Sequence, residues 1–390
     1  MKKTFQILFL LILALFSLGQ LQRIQLTKVT AFYVHDVFLV IWLVLSIIKF
    51  PDKWIKLSKK MIKNKLFLLT LGWIALGIVA SYIIAGFSPI PLLYLSRTAI
   101  YSLFGLSLTF TKPFLRSRQL QLWIAVGLLI AFWGLIQYFI LPDTRFLKYL
   151  GWDDHYFRLI STQFDPNFTG IILVITLFLT QTFKQKRGEE TNWLKIGASL
   201  FLTLTILLTY SRASYLSFLV SGALFLIIQL IRSYKINHLL ISIMGLFIIS
   251  LPFLPRPAGE GVKLERTASV LSRVESNSSA IKNLQNYQWL TGKGLFVTSE
   301  SKQDISFWKD TAHFPDNLIT FILTSTGVVG LIIFLFILYK FSLDLYRKDI
   351  FIFIAFIAIL IHSQFNHTLF QPFIWLWISS LGFSLIKIKT

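Results

Sequence analysis

Long apolar stretches recur along this chain with only short polar breaks between them. There are twelve, at 4–20, 31–48, 66–86, 91–111, 120–141, 168–183, 196–210, 213–231, 238–255, 317–339, 350–363 and 366–386. A helix that crosses a bilayer needs about 20 mostly apolar residues. Few soluble folds could bury so many such stretches, and charged residues make up 14% of the chain against about 25% in an ordinary soluble domain. The pattern predicts an all-α, polytopic integral membrane bundle of about 12 transmembrane helices. It excludes a cytosolic enzyme and a disordered chain. Met1-Lys2-Lys3 before the first apolar run imitates a signal peptide. No small-residue cleavage site follows, so a retained first helix is expected. The expected organisation is helices 1–9 over 1–255, one large extracytoplasmic loop over 256–316, and helices 10–12 over 317–390.

The basic residues orient the bundle. With both termini in the cytoplasm, 23 of the 38 Lys and Arg fall on inner segments, against 5 of the 17 Asp and Glu. The net charge of +21 therefore reads as contact with anionic inner-leaflet lipid. It is not a nucleic-acid footprint, and no nucleic-acid partner is expected. In the outer loop Val270, Leu271, Val274, Ile281, Leu284 and Tyr287 recur at helical spacing, which predicts one or two amphipathic helices over the bundle mouth.

Ionisable residues in apolar spans are costly and therefore candidates for function. On this topology they gather outside. Arg97 sits about six residues, roughly 9 Å, below the outer end of the fourth span. Asp165-Pro166-Asn167 enters the sixth span, and Ser211-Arg212 joins the seventh to the eighth. His313, Asp316 and Asn317 precede the tenth, and His362, Gln364, Asn366 and His367 line the turn between the last two. Asp165, Asn167, Asp316 and Asn317 are also good helix N-caps. Arg97 and Arg212 could instead anchor at headgroups, and His35-Asp36 could be a structural pair between helices. Trp152-Asp153-Asp154-His155 has oxygen and imidazole donors for a divalent ion, yet reads better as a solvated loop, and no metal is expected. The spacing Gly327-x-x-Gly330 suggests helix packing. Cysteine is absent, which removes thiolate nucleophiles and thiolate metal sites.

Five stretches, in order, resemble the O-antigen ligase and polysaccharide polymerase superfamily (Wzy-like) of bacterial membrane glycosyltransferases. They are Ser161-Thr-Gln-Phe-Asp165-Pro166-Asn167-Phe-Thr-Gly170, Leu208-Thr-Tyr-Ser211-Arg212-Ala-Ser214, Ser272-Arg273, Trp289-Leu-Thr-Gly-Lys-Gly294-Leu-Phe296, and His313-Phe-Pro-Asp316-Asn317 followed by Ser325-Thr-Gly327-Val-Val-Gly330. The resemblance covers about 160–335. It implies a GT-C-like helical fold in the bacterial cytoplasmic membrane. It also implies glycan transfer from an undecaprenyl-diphosphate carrier to an acceptor hydroxyl on the outer face, inverting, metal-independent and without a cofactor. Arg212 and Arg273 would grip the diphosphate, with Arg97 as a third cation, because guanidinium binds phosphate oxygens as a fork. His313, with an ordinary pKa near 6.5, would be the general base. Asp165, Asn167, Ser211, Asp316 and Asn317 would position substrate.

The superfamily contains polymerases, which join repeat units, and ligases, which attach finished glycan. The 38 Phe and 38 Lys and Arg suggest an AT-rich, Gram-positive genome, which favours capsule or exopolysaccharide polymerisation over ligation. A flippase for the same lipid-linked glycan is the rival from another class. It would need cations along a path through both leaflets, and no ionisable residue lies deep in the inner halves of the spans. A cell-shape type polymerase would depend instead on Asp304, Asp310 or Asp316. Expected partners are the lipid-linked glycan, the acceptor glycan and the bilayer. A chain-length regulator is compatible with this, though no segment announces one.

Overall fold

The computed structural model describes residues 2–27, 30–85, 89–182, 193–232, 236–257, 259–296 and 314–385. Fifteen helices occur among them: α1 (Lys2–Ser17), α2 (Val34–Lys49), α3 (Pro51–Ile62), α4 (Lys65–Ala85), α5 (Pro89–Thr111), α6 (Arg116–Ile140), α7 (Pro166–Thr180), α8 (Trp193–Leu208), α9 (Arg212–Ile231), α10 (His238–Ser250), α11 (Ala268–Lys282), α12 (Gln288–Thr291), α13 (Leu318–Lys348), α14 (Ile350–His362) and α15 (Pro372–Leu381). A small antiparallel hairpin, β1 (Arg23–Gln25) and β2 (Ala31–Tyr33), separates α1 from α2.

A helix stands at each of the twelve apolar stretches. Among the described residues α4, α6, α9 and α13 are long and apolar enough to cross a membrane. The pair α2 and α3, bent by 101° at their break, would make a fifth as one span. Helices α7, α8, α10, α14 and α15 contain 10 to 16 residues. At 1.5 Å per residue such helices cover about 15–24 Å, less than the roughly 30 Å of hydrocarbon. Helix α13 runs to Lys348, nine residues beyond the expected end of its apolar stretch. Helix α3 was not anticipated, because its lysine-rich sequence reads as a polar connection. Leu57 is its buried residue, so it lies along the bundle rather than entering it.

The bundle is apolar on both its inside and its perimeter. Helix α7 is buried on almost every side, as its all-round apolar sequence requires. It packs against α6, α8, α9 and α14. Close approach there depends on small residues: Gly127 of α6 faces Thr176 of α7, and Gly170 of α7 faces Ser214 of α9. Ile7, Val44, Ile48, Leu71, Phe139, Leu204, Ile227, Ile249, Ile332 and Phe336 are exposed on the outside. So much exposed apolar surface marks a lipid-facing perimeter, and the protein is a helical membrane protein.

The helix ends sort into two groups. At one end, called the rim here, Thr162 Oγ1 donates to the Ser17 carbonyl (2.8 Å). There the Leu159 amide donates to the Leu208 carbonyl (2.9 Å), and the Leu318 amide donates to the Ser363 carbonyl (2.8 Å). At the opposite end Arg116 donates to Ser384 Oγ (2.6 Å) and to the Leu381 carbonyl (2.9 Å). There too Asn237 Nδ2 donates to Gln181 Oε1 (3.0 Å). The 141–165 loop, the 209–211 turn, the segment containing α11 and α12, and the 363–371 turn all belong to the rim.

Helix α13 is broken. Gly327 has φ +66 and ψ −173 within it. The carbonyls of Thr324 and Ser325, released from the regular helical pattern, accept the amides of Lys293 (2.8 Å) and Gly294 (2.9 Å). The Leu295 amide reaches the Gly77 carbonyl of α4 (3.1 Å). Gly292 and Gly294 both have positive φ and lie against backbone, of Ser325 and Ser81 respectively. The Gly-Lys-Gly stretch is therefore a backbone plug in the break. Gly330 does sit close to the neighbouring Trp73 of α4, as a packing glycine should, whereas Gly327 creates the break itself.

Candidate functional site

Among the helices that begin at the rim, α7, α9 and α13 each have a side-chain cap beside the candidate site. Asp165 Oδ1 accepts the amides of Asn167 (2.6 Å) and Phe168 (2.8 Å) at the start of α7. Ser211 caps α9, and Asn317 Oδ1 caps α13 through the Thr320 amide (3.0 Å). The N-terminal half-dipoles of α7, α9 and α13 therefore face the same end and favour an anion there.

The caps are linked to one another. Ser211 Oγ donates to Asn167 Oδ1 (2.8 Å). Ser214 Oγ lies 2.9 Å from Ser211 Oγ and 3.2 Å from His362 Nε2. His362 Nδ1 lies 2.6 Å from Thr368 Oγ1, which donates to the Asn366 carbonyl (3.2 Å). Arg273 Nη2 donates to Asn366 Oδ1 (2.7 Å), and its Nε lies 3.6 Å from Asp316 Oδ2. Asn317 Nδ2 donates to the Gln364 carbonyl (3.1 Å). One polar chain thus runs from the start of α7 through α9 and α14 to α11 and the entry of α13. It joins Asn167, Ser211, Arg273 and Asp316, four residues expected at the site, with Asp165 and Asn317 capping the helices it touches.

Arg212 donates from Nη1 to the carbonyls of Leu264 (3.1 Å) and Arg266 (2.6 Å). Arg273 is close enough for the two guanidinium groups to repel. Arg212 follows Ser211, which the polar chain joins to Arg273, so the two cations expected to act together flank one network, although 61 residues separate them. Arg97 is engaged elsewhere. Its Nε donates to Asp36 Oδ2 (3.2 Å) and its Nη2 to the Ala31 carbonyl (2.7 Å), while its guanidinium lies over Tyr33. Tyr101 hydroxyl bridges the other Asp36 oxygen to His35. So His35, buried, and Asp36, half-buried, form a structural pair, and among the described contacts Arg97 belongs to it rather than to Arg212 and Arg273. His313, Asp304 and Asp310 lie outside the described residues. Phe314, which follows His313, packs against Phe296, Phe321 and His367.

Sequence reasoning missed three supports. Arg158 is buried and donates to the carbonyls of Thr209 (3.0 Å) and Tyr210 (3.3 Å). Arg266 reaches the same Tyr210 carbonyl (3.3 Å). Tyr210 has φ +51, an unfavourable conformation for a bulky residue, so two guanidinium groups hold the strained turn that presents Ser211 and Arg212. Burial, with repulsion from Arg266, pulls the Arg158 pKa down to about 9. The third is His362, fully buried between Ser214 and Thr368. It stood among the residues of the last turn, but nothing local marked it as the link between α9 and α14.

The loop before α7 contains another cluster. Asp153, His155 and Asp165 each present a ligand-type atom, all within 4.8 Å of one another. Burial, then the charges of Arg158 and Arg266, depress the His155 pKa to about 3. Burial raises that of the Asp165 carboxyl, against the pull of the Phe168 amide.

Residues 197–335 match the Wzy_C family model, described as O-antigen ligase. The segment from α8 to the middle of α13 is thus similar to O-antigen ligases. It contains Ser211, Arg212, Arg273, Asp316, Asn317 and the glycine pair of α13, and covers about a third of the chain. Asp165, Asn167 and His362, which the polar chain ties to it, lie outside the matched segment. No curated protein matches the chain.

Proposed function

We propose that this protein is a membrane glycosyltransferase. It moves a glycan from an undecaprenyl-diphosphate carrier to a sugar hydroxyl at the outer face of the cytoplasmic membrane, and polymerises capsule or exopolysaccharide repeat units. The reading takes the rim as the outer end. It also takes the bundle as GT-C-like, with about twelve crossings, the short helices being completed by irregular chain at their ends. The observation that carries it is the polar chain that joins the Ser211-Arg212 turn to Arg273 beside three capped helix N-termini, inside or tied to the segment that matches the O-antigen ligase family.

The chemistry follows from the charges. The acceptor oxygen bonds to the anomeric carbon of the donor while the bond from that carbon to the diphosphate oxygen breaks. Negative charge grows on the departing diphosphate, and fixed guanidinium groups stabilise it in the transition state. The acceptor hydroxyl loses its proton to a base, for which the family resemblance indicates His313. Asn167, Ser211, Asp316 and Asn317 hold the reactants and shape the turn. Neither a metal nor a cofactor is required for the step.

The test is transfer by the purified full-length chain in detergent, with a lipid-diphosphate glycan as donor. We expect new glycosidic bonds without vesicles, and products longer than one added repeat. Arg212→Ala, Arg273→Ala and His313→Ala should each lower the rate by about 10²-fold or more. Full activity in all three variants would remove the site assignment. Absence of bond formation beside vesicle-dependent movement of the same lipid would favour a transporter, and single additions to a final acceptor a ligase.

A further inference from the structure

The geometry points to a divalent-cation site in the loop between α6 and α7, formed by Asp153, His155 and Asp165. These residues span thirteen positions of the chain and come from two arms of a folded loop. Their ligand-type atoms lie within 4.8 Å of one another. Two ligands of one tetrahedral ion are about 3.3 Å apart, given bonds near 2.0–2.2 Å. Small side-chain rotations therefore close the set around a metal.

Two further observations indicate an unmet need for a ligand. His155 is 8% exposed and its Nε2 has no hydrogen-bond partner. A buried polar atom left in that state is unfavourable, and the imidazole offers a nitrogen to the cluster. Asp165 uses Oδ1 for the two amides of α7, which leaves its Oδ2 for another partner. Asp153 and Asp165 repel one another, and a cation between them reverses that interaction.

The donor set decides the metal. One imidazole with two carboxylates suits Zn²⁺ or Mn²⁺, whereas Mg²⁺ and Ca²⁺ prefer oxygen alone. Arg158 and Arg266 are near His155 and oppose a cation. Their guanidinium groups are directed at backbone carbonyls, and the two carboxylates offset them. The bound ion would be a clamp. It would fix the 152–155 arm to the cap of α7, beside Asn167 and the Ser211 turn, and take no part in gripping the diphosphate.

Metal binding, rather than transfer, is the readout. The full-length chain is purified in detergent, stripped with a chelator, and titrated with Zn²⁺, Mn²⁺ and Mg²⁺ by calorimetry and thermal unfolding. We expect saturable Zn²⁺ or Mn²⁺ binding near one per chain, tighter than Mg²⁺, with a rise in unfolding temperature. Asp153→Asn and His155→Gln should each weaken binding by more than the roughly tenfold that losing an outer-shell partner costs. Asp143→Asn, in the same loop but paired with Arg145 at 2.7 Å, should leave it unchanged. Asp153 is exposed, so its variant keeps the test decisive if His155→Gln does not fold. Lack of saturable binding, or binding that Asp153→Asn does not weaken, overturns the site.

Discussion

Arg158 shows how much of a site can depend on a residue that no motif announces. Its side chain is buried, and its donors go to the Thr209 and Tyr210 carbonyls across about fifty residues of sequence. Replacing it by alanine leaves the Thr209 carbonyl short of a partner, and the Tyr210 carbonyl with Arg266 alone, beside a strained tyrosine. At about 1–3 kcal/mol for an unmet group, we expect Arg158→Ala to lower unfolding stability by about 1–3 kcal/mol and to reduce transfer through the Ser211-Arg212 turn. Arg158→Lys should recover only part of this, since an ammonium lacks the planar fork. Unchanged denaturation curves in detergent would show that the turn stands without it. Asp165 and Asn317 were legible because capping is a local pattern of polar residue before apolar run, whereas Ser211 was legible through the family motifs. Arg212 and Arg273 were legible through the family motifs. Arg158, Arg266 and His362 were not, because their partners are set by tertiary packing. The same reason explains Arg97: its partner Asp36, 61 residues away, decides between a substrate fork and an internal ion pair.

Elements were legible where periodicity ran long and illegible where the backbone departs from it. The twelve apolar stretches became helices, and in the outer segment α11 carries Val270, Leu271, Val274 and Ile281, while Leu284 and Tyr287 lie between α11 and α12. The break in α13 had no such signal, since Gly-x-x-Gly is equally a packing motif in membrane helices. A β-carbon at 327 would fall against the Leu290 carbonyl, with φ at +66. A left-handed conformation alone costs an L-residue about 1–2 kcal/mol, before any collision with fixed backbone. Gly327→Ala should therefore lower stability by more than about 2 kcal/mol and loosen the Gly292–Gly294 plug. Gly245→Ala in α10 is the comparator. Nothing lies within 4 Å of its new methyl group, so the change should be neutral or slightly stabilising. Equal thermal shifts for the two variants would mean that the break is not a structural requirement.

For the whole molecule, burial and charge describe one axis. Apolar side chains cover the perimeter, and polar chains occur at the two ends, so the bundle has a direction as well as an inside. The basic segment that contains α3 belongs to the end opposite the rim, because α2 leads away from the rim hairpin and α4 returns towards Gly294. The proposed orientation, drawn from the positive-inside bias, puts that end in the cytoplasm. The chain has no cysteine, so single introduced thiols report position without background. Lys56, in α3, and Lys282, at the end of α11, are both exposed. In intact cells a membrane-impermeant maleimide should label Lys282→Cys, and should label Lys56→Cys only after the membrane is permeabilised. The reverse pattern would put Arg212 and Arg273 on the cytoplasmic face. There they could not meet a carrier-linked glycan already moved outward, and the proposed transfer reaction would have to be abandoned.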